Sequence, residues 1–163
     1  METSIVRDLL GNYRLGHTIT DQDVLEAAER LLEQRLVRDA CLSRPEDAAQ
    51  YLRMRLAKYP FEVFACVFLD QRHRVLAIEE LFRGSIAACS VPIREVLRRV
   101  LHHNAAAVIL AHQHPSGVSE PSQADIDITR ELKTALGYAD CRVLDHFVCG
   151  ATDHVSLAQR GLV

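Results

Sequence analysis

Between Pro92 and His103 the apolar residues Ile93, Val96, Leu97, Val100 and Leu101 recur at steps 0, 3, 4, 7 and 8, and Arg94, Glu95, Arg98 and Arg99 fill the other side. That spacing puts the apolar set on one stripe of an α-helix. Upstream, Thr20 can cap a helix whose first turn holds Asp21 and Asp23, with Val24, Ala28, Leu31 and Leu32 as its stripe. A second helix start combines Ser43 at N-cap, Pro45 in the first turn and Glu46 at N3, a capping box; Tyr59-Pro60 marks its end. Residues 1–19 are mixed, and Gly11 and Gly16 weaken a helical reading there.

The period then changes. Phe61 to Leu69 is β-branched and aromatic, Asp70 to His73 is a polar turn, and Arg74 to Ile78 returns, so a hairpin is predicted. Gly84 breaks the chain after Leu81-Phe82. Asn104 to Ala111 is an apolar run of the length of a buried strand. A Pro/Ser/Gly turn follows it, then a helix from Ser122 to about Leu136 closed by Gly137. Cys141 to Cys149 and Asp153 to Leu157 read as two further strands around Gly150. Strands alternating with helices, with one early antiparallel hairpin, predict an α/β domain: a mixed sheet flanked by helices, with N-terminal helices added.

At 163 residues the chain suits one domain, and 48% hydrophobic against 25% charged residues is ordinary for a soluble protein with a real core. The net charge of −3 shows no basic footprint of the kind nucleic-acid binders carry, although Arg72, Arg74, Arg94, Arg98 and Arg99 could form a local basic face. Five cysteines include no Cys-x-x-Cys pair, so buried free thiols are expected over disulfides. No basic-then-apolar leader opens the chain and no window reaches the ~18 apolar residues of a membrane span, so a soluble cytoplasmic protein without membrane contact is expected.

The chemistry concentrates in His112 to Asp125. On a strand His112 and His114 point the same way, and Asp125 can add an oxygen from the first turn of the next helix. Two imidazoles and a carboxylate, with a fourth position left open, form a ligand set of hydrolytic zinc sites. Ser122 and Asp125 also have N-cap to N3 spacing, and capping is compatible with ligation.

These residues resemble a known family. His112-x-His114, seven residues, Ser122-x-x-Asp125 matches the JAMM signature of MPN-type metalloproteins. The segments Asn104 to Gly117, Pro121 to Asp125 and Val143 to His146 are similar to the RadC branch, as are Phe61 to Leu69, Gly84-Ser85 and Arg94-Glu95. The resemblance covers about residues 45 to 163. It implies an MPN/JAMM-like fold with the layering of cytidine deaminases over residues 41–163, and leaves residues 1–40 as a helical extension. A short form without the paired helix-hairpin-helix elements of longer members is expected.

The resemblance further implies Zn²⁺ held by His112, His114 and Asp125, and a metal-activated water that attacks an amide or isopeptide bond. It assigns Ser122 to the oxyanion. It assigns the acid/base role to a glutamate opening the hairpin, which selects Glu62; Glu79 or Glu80 is the fallback. An unidentified protein or peptide is the implied substrate. The family name also links such proteins to DNA repair, so the rival readings are a DNA-associated accessory module and a metal-dependent phosphodiesterase.

Three positions depart from the family pattern: Gln113 stands where Asn is usual, Ser85 where Thr is common, and Pro92 comes one place early. None removes a ligand. His102 and His103, closing a helix, are weak ligand candidates. His146, beside Asp145 in a buried strand, reads as a core residue or as one half of a supporting hydrogen-bond couple. His17, His73 and His154 read as surface residues. No His-x-Glu with Pro-Cys-x-x-Cys, no His-Glu-x-x-His and no phosphate-cradling glycine loop is present.

Overall fold

The computed structural model describes residues 5–7, 13–15, 20–38, 45–84 and 91–163. The expected Ser43 cap, Ser85, Gly11, Gly16, His17, Cys41 and Cys89 lie outside them.

The elements run β1 (Ile5–Arg7), β2 (Tyr13–Leu15), α1 (Asp21–Arg38), α2 (Pro45–Leu56), β3 (Val63–Leu69), β4 (Val75–Arg83), α3 (Ile93–His103), β5 (Ala107–Gln113), α4 (Gln123–Gly137), β6 (Arg142–Cys149) and β7 (His154–Ser156). β1 and β2 pair antiparallel, so the stretch before α1, expected as part of a helical extension, contains a short hairpin. A second sheet has the order β4-β3-β5-β6-β7; every pairing in it is antiparallel except β5 with β6, which is parallel. α4 is the crossover that joins that parallel pair.

Alternation along the central strands divides the core in two. Val63, Ala65, Val67 and Leu69 of β3 and Ala107, Ile109 and Ala111 of β5 pack with Ala48, Leu52 and Leu56 of α2. The intervening Phe64, Cys66, Phe68, Val108 and Leu110 pack with Val96 and Val100 of α3 and Leu132 and Leu136 of α4. Burying each large apolar side chain contributes about 1.5–3 kcal/mol relative to exposure. This parity decides where the chemistry falls. Even-numbered positions of β3 and β5 face α4, so His112 emerges on the face that Asp125 approaches.

The predicted helices appear with small shifts. α3 buries Val96 and Val100, while Leu101, expected in its stripe, is exposed. The strand expected from Asn104 starts at Ala107, because Asn104 takes a left-handed conformation (φ 50°) as the cap of α3. β4 runs on to Arg83, past the expected end at Ile78. Cys66, Cys141 and Cys149 are buried free thiols, and burial pushes Cys141 up to about 11 and Cys149 up to about 12.

Candidate metal centre

His112 lies near the end of β5, only 1% exposed, and its strand partner is Phe64, whose ring stacks on the imidazole at 6.4 Å between centroids. The chain turns sharply after Gln113. Gly117 adopts φ +81° and its N–H donates to the His114 carbonyl at 2.9 Å. That turn leans on the loop between β6 and β7: His114 N–H donates to Cys149 O at 3.0 Å, and Ala151 N–H to Gly117 O at 3.0 Å. Gly150 is the point of closest approach. A Cβ there would sit 2.7 Å from Gly117 O and 2.6 Å from Asp153 Oδ1, so only glycine fits.

Asp125 enters from the first turn of α4. Ser122 caps that helix: its backbone N–H and hydroxyl donate to Asp125 Oδ2 at 2.6 and 2.7 Å, and Asp125 N–H donates back to Ser122 Oγ at 3.2 Å. The capping box thus aims the carboxylate instead of consuming it. Asp125 Oδ1 lies 3.1 Å from His112 Nε2 and Oδ2 lies 3.4 Å from His114 Nε2, while the two Nε2 atoms are 3.1 Å apart. One ligand atom from each residue falls within 4.8 Å of the others.

The donor set fits a cation. His114 Nδ1 donates to Val118 O at 2.8 Å, and His112 turns its Nδ1 to His146 Nε2 at 2.9 Å. Both imidazoles turn Nε2 toward the carboxylate, and three groups able to ligate a cation converge on one point. Two nitrogens and one carboxylate suit zinc, with a fourth position open. Burial alone would raise the Asp125 carboxyl, but hydrogen bonding to His112 and His114 outweighs it and holds the group far below the ordinary carboxylate range. Hydrogen bonding to Asp125 in turn raises His114, against the opposing effect of burial.

Glu62 immediately precedes β3. It stands two residues before Phe64, the strand partner of His112. Burial raises its pKa; the charges of His112 and His114 lower it and that of Asp125 raises it, so Glu62 is electrostatically part of the cluster. The fallback carboxylates are engaged elsewhere. Glu79 is held by Arg99 and by His103 at 2.8 Å on the α3 face. Glu80 accepts from Tyr59 at 2.7 Å and Arg55 at 3.2 Å on the α2 face.

Some functional relationships escaped the sequence reading. Gln113 donates from Nε2 to Phe61 O at 2.6 Å and accepts at Oε1 from Val63 N–H at 2.9 Å, gripping the backbone on both sides of Glu62. His146 is a buried core residue, and no side-chain couple joins it to Asp145. Asp145 instead accepts from Ser156 Oγ, Ala158 N–H and the His146 backbone, because adjacent side chains on a strand face opposite ways. The His146 ring contacts His112 and Thr129, and burial holds it far below the ordinary imidazole value. His103 belongs to the Glu79 pair and packs tilted against Phe68, with ring centroids 4.6 Å apart. His73 meets Arg142, and His154 packs on Phe147.

The model of the RadC-like JAB domain matches residues 42–162. The chain belongs to the RadC-like JAB family. A UPF0758 protein of Nitrosococcus oceani is 58% identical over 142 residues, covering 87% of this chain and 63% of the relative. One from Azotobacter vinelandii is 54% identical over 140 residues, 86% of this chain and 62% of its own length. A UPF0758 protein of Halorhodospira halophila is 50% identical over 162 residues, 99% of this chain and 71% of the relative. This RadC-like chain thus spans about 63% of the length of the first of these relatives. Among the described residues no helix is long and apolar enough to cross a membrane.

Proposed function

We propose that the chain is a zinc-dependent hydrolase that cleaves an amide or isopeptide bond in a protein or peptide substrate, with His112, His114 and Asp125 as ligands, Glu62 as acid/base and Ser122 as oxyanion donor. The convergence of His112 Nε2, His114 Nε2 and the Asp125 carboxylate carries this reading. Membership of the RadC-like JAB family supports it. Free buried thiols suit a reducing cytoplasm.

Zinc held there would supply Lewis acidity, bringing the pKa of a water in the open position toward ~7. Glu62, with its raised pKa, accepts the proton of the attacking water and returns it to the leaving amine. Ser122 has two donors on Asp125 Oδ2. Its backbone N–H keeps the carboxylate aimed while the hydroxyl rotates its hydrogen to the developing oxyanion, a contact worth about 3–4 kcal/mol where such donors have been removed.

Elemental analysis of the purified protein, joined to a hydrolysis screen of isopeptide-linked fluorogenic peptides, tests the proposal. Stoichiometric zinc should vanish in His114→Ala. Glu62→Gln should keep the zinc and lose at least about 100-fold in turnover. Absence of zinc from the wild type overturns the metal assignment, and undiminished turnover in Glu62→Gln overturns the acid/base assignment. Cleavage of nucleic acid in place of peptide would move the protein to the phosphodiesterases.

A further inference from the structure

The stretch that leads into Ser122 is gripped by a turn over residues 157–161, which the proposed reaction does not use. Arg160 donates from Nη1 and Nη2 to Glu120 Oε1 and Oε2 at 2.6 and 2.8 Å, a two-point fork. Glu120 is followed by Pro121 and then by Ser122, the cap that holds the Asp125 carboxylate.

The turn is a firm platform. Leu157 is 0% exposed, and its N–H donates to the His146 carbonyl at 3.0 Å. Asp145, buried in β6, accepts from Ala158 N–H at 3.0 Å and from Ser156 Oγ at 2.6 Å. Gly161 N–H and Leu162 N–H close the turn on the carbonyls of Ala158 and Leu157, both at 2.9 Å, and Val163 packs against the core layer of α3 and α4. Arg160 is thus presented from a backbone fixed at both ends. The receiving side is stiff as well. The ring of Pro121 fixes its own φ and restricts Glu120 to extended backbone, so a grip on Glu120 carries through to Ser122.

We infer that Arg160 is a positioning residue for Asp125: it pins Glu120, and through Pro121 it holds the Ser122 cap that aims the carboxylate. This grip is separate from the brace that the loop between β6 and β7 gives to His114. The inference rests on the zinc reading for its purpose, but the constraint on the cap is a property of the protein without metal. The Arg160 and Glu120 side chains are 41% and 65% exposed. An ion pair so open to solvent adds little to global stability, so its effect is local and shows at the cap.

Two readouts test this on Arg160→Gln, Glu120→Gln and the double variant. Amide hydrogen exchange of metal-free protein follows the N–H groups of Ser122 and Asp125, the two that make the capping box. Both should exchange about 5-fold faster in each single variant, the most that an exposed ion pair of good geometry is worth, and no faster still in the double variant. The amides of β3 should keep their wild-type rates, and thermal melting should hardly move. Zinc affinity, measured by competition with a chromophoric chelator, should fall by a similar factor. Unchanged exchange at Ser122 and Asp125 in Arg160→Gln overturns the inference, as do effects that add in the double variant. Faster exchange with wild-type zinc affinity overturns the positioning of Asp125. A wild type that takes up no zinc overturns the metal reading alone, and the exchange rates still decide the constraint on the cap.

Discussion

Gln113 brackets Glu62: its side-chain amide bonds the carbonyl of Phe61 and the N–H of Val63, one residue to either side. Both contacts cross from β5 to the start of β3, so the residue between the two proposed ligand histidines also fixes the backbone of the proposed acid/base. Gln113→Ala should leave two backbone groups without partners and cost about 1–3 kcal/mol. Urea denaturation measures that loss, and a zinc titration should show the ligand set retained while turnover drops. Unchanged stability would remove Gln113 from this role.

The raised pKa of Glu62 has a stability consequence of definite sign. The folded state holds the Glu62 proton more tightly than the unfolded chain, so ionisation of the carboxyl costs stability as pH rises above the ordinary value of 4.5. In metal-free protein Glu62→Gln should therefore melt higher than the wild type at neutral pH, and the advantage should disappear below pH 4.5. Thermal melts across pH check this; a variant that melts lower at neutral pH contradicts it.

Glu80 carries the opposite sign. Burial raises it, but hydrogen bonds from Tyr59 and Arg55 outweigh burial and lower its pKa below 4.5. Its contribution is complete above that value and is lost as pH falls through the depressed folded value. Glu80→Gln should cost about 1–2 kcal/mol near neutrality and nothing once the wild-type carboxyl is protonated. Denaturation curves at neutral and acid pH separate the two regimes.

Gly150→Ala should act on the metal centre from a distance. The added methyl meets Gly117 O and Asp153 Oδ1, forcing apart the loop that supplies Val118 O to His114. Overpacking of this kind costs about 1–3 kcal/mol, and zinc affinity should fall with it. Calorimetry and the chelator competition measure both; a destabilised variant with unaltered zinc affinity would uncouple the loop from the ligand.

What the sequence revealed was local. The 3.6 period of α3, the hairpin turn at Asp70, the Ser122–Asp125 capping box and the shared face of His112 and His114 all follow from neighbours a few residues apart. Asn104 misled because an apolar run gives no sign of where a helix cap takes over. β4 continues past Ile78 through two charged residues, Glu79 and Glu80. Each is matched by basic or hydroxyl partners from a different helical layer, 20 or more residues away. Gln113 and His146 were similarly opaque: their partners lie 52 and 34 residues distant, and only the completed sheet brings them together.

The parallel pairing of β5 with β6 has a consequence for how the protein matures. His112, Asp125 and His146 stand on the three successive pieces of the β5–α4–β6 crossover. A nascent or partly unfolded chain can hold His112 and His114, two residues apart, near each other, but the carboxylate and the buried ring behind them arrive only when the crossover docks. An ion bound at this point therefore draws its affinity from the finished topology. Metal capture would be a late event, and chelation would loosen the crossover before the antiparallel hairpin of β3 and β4.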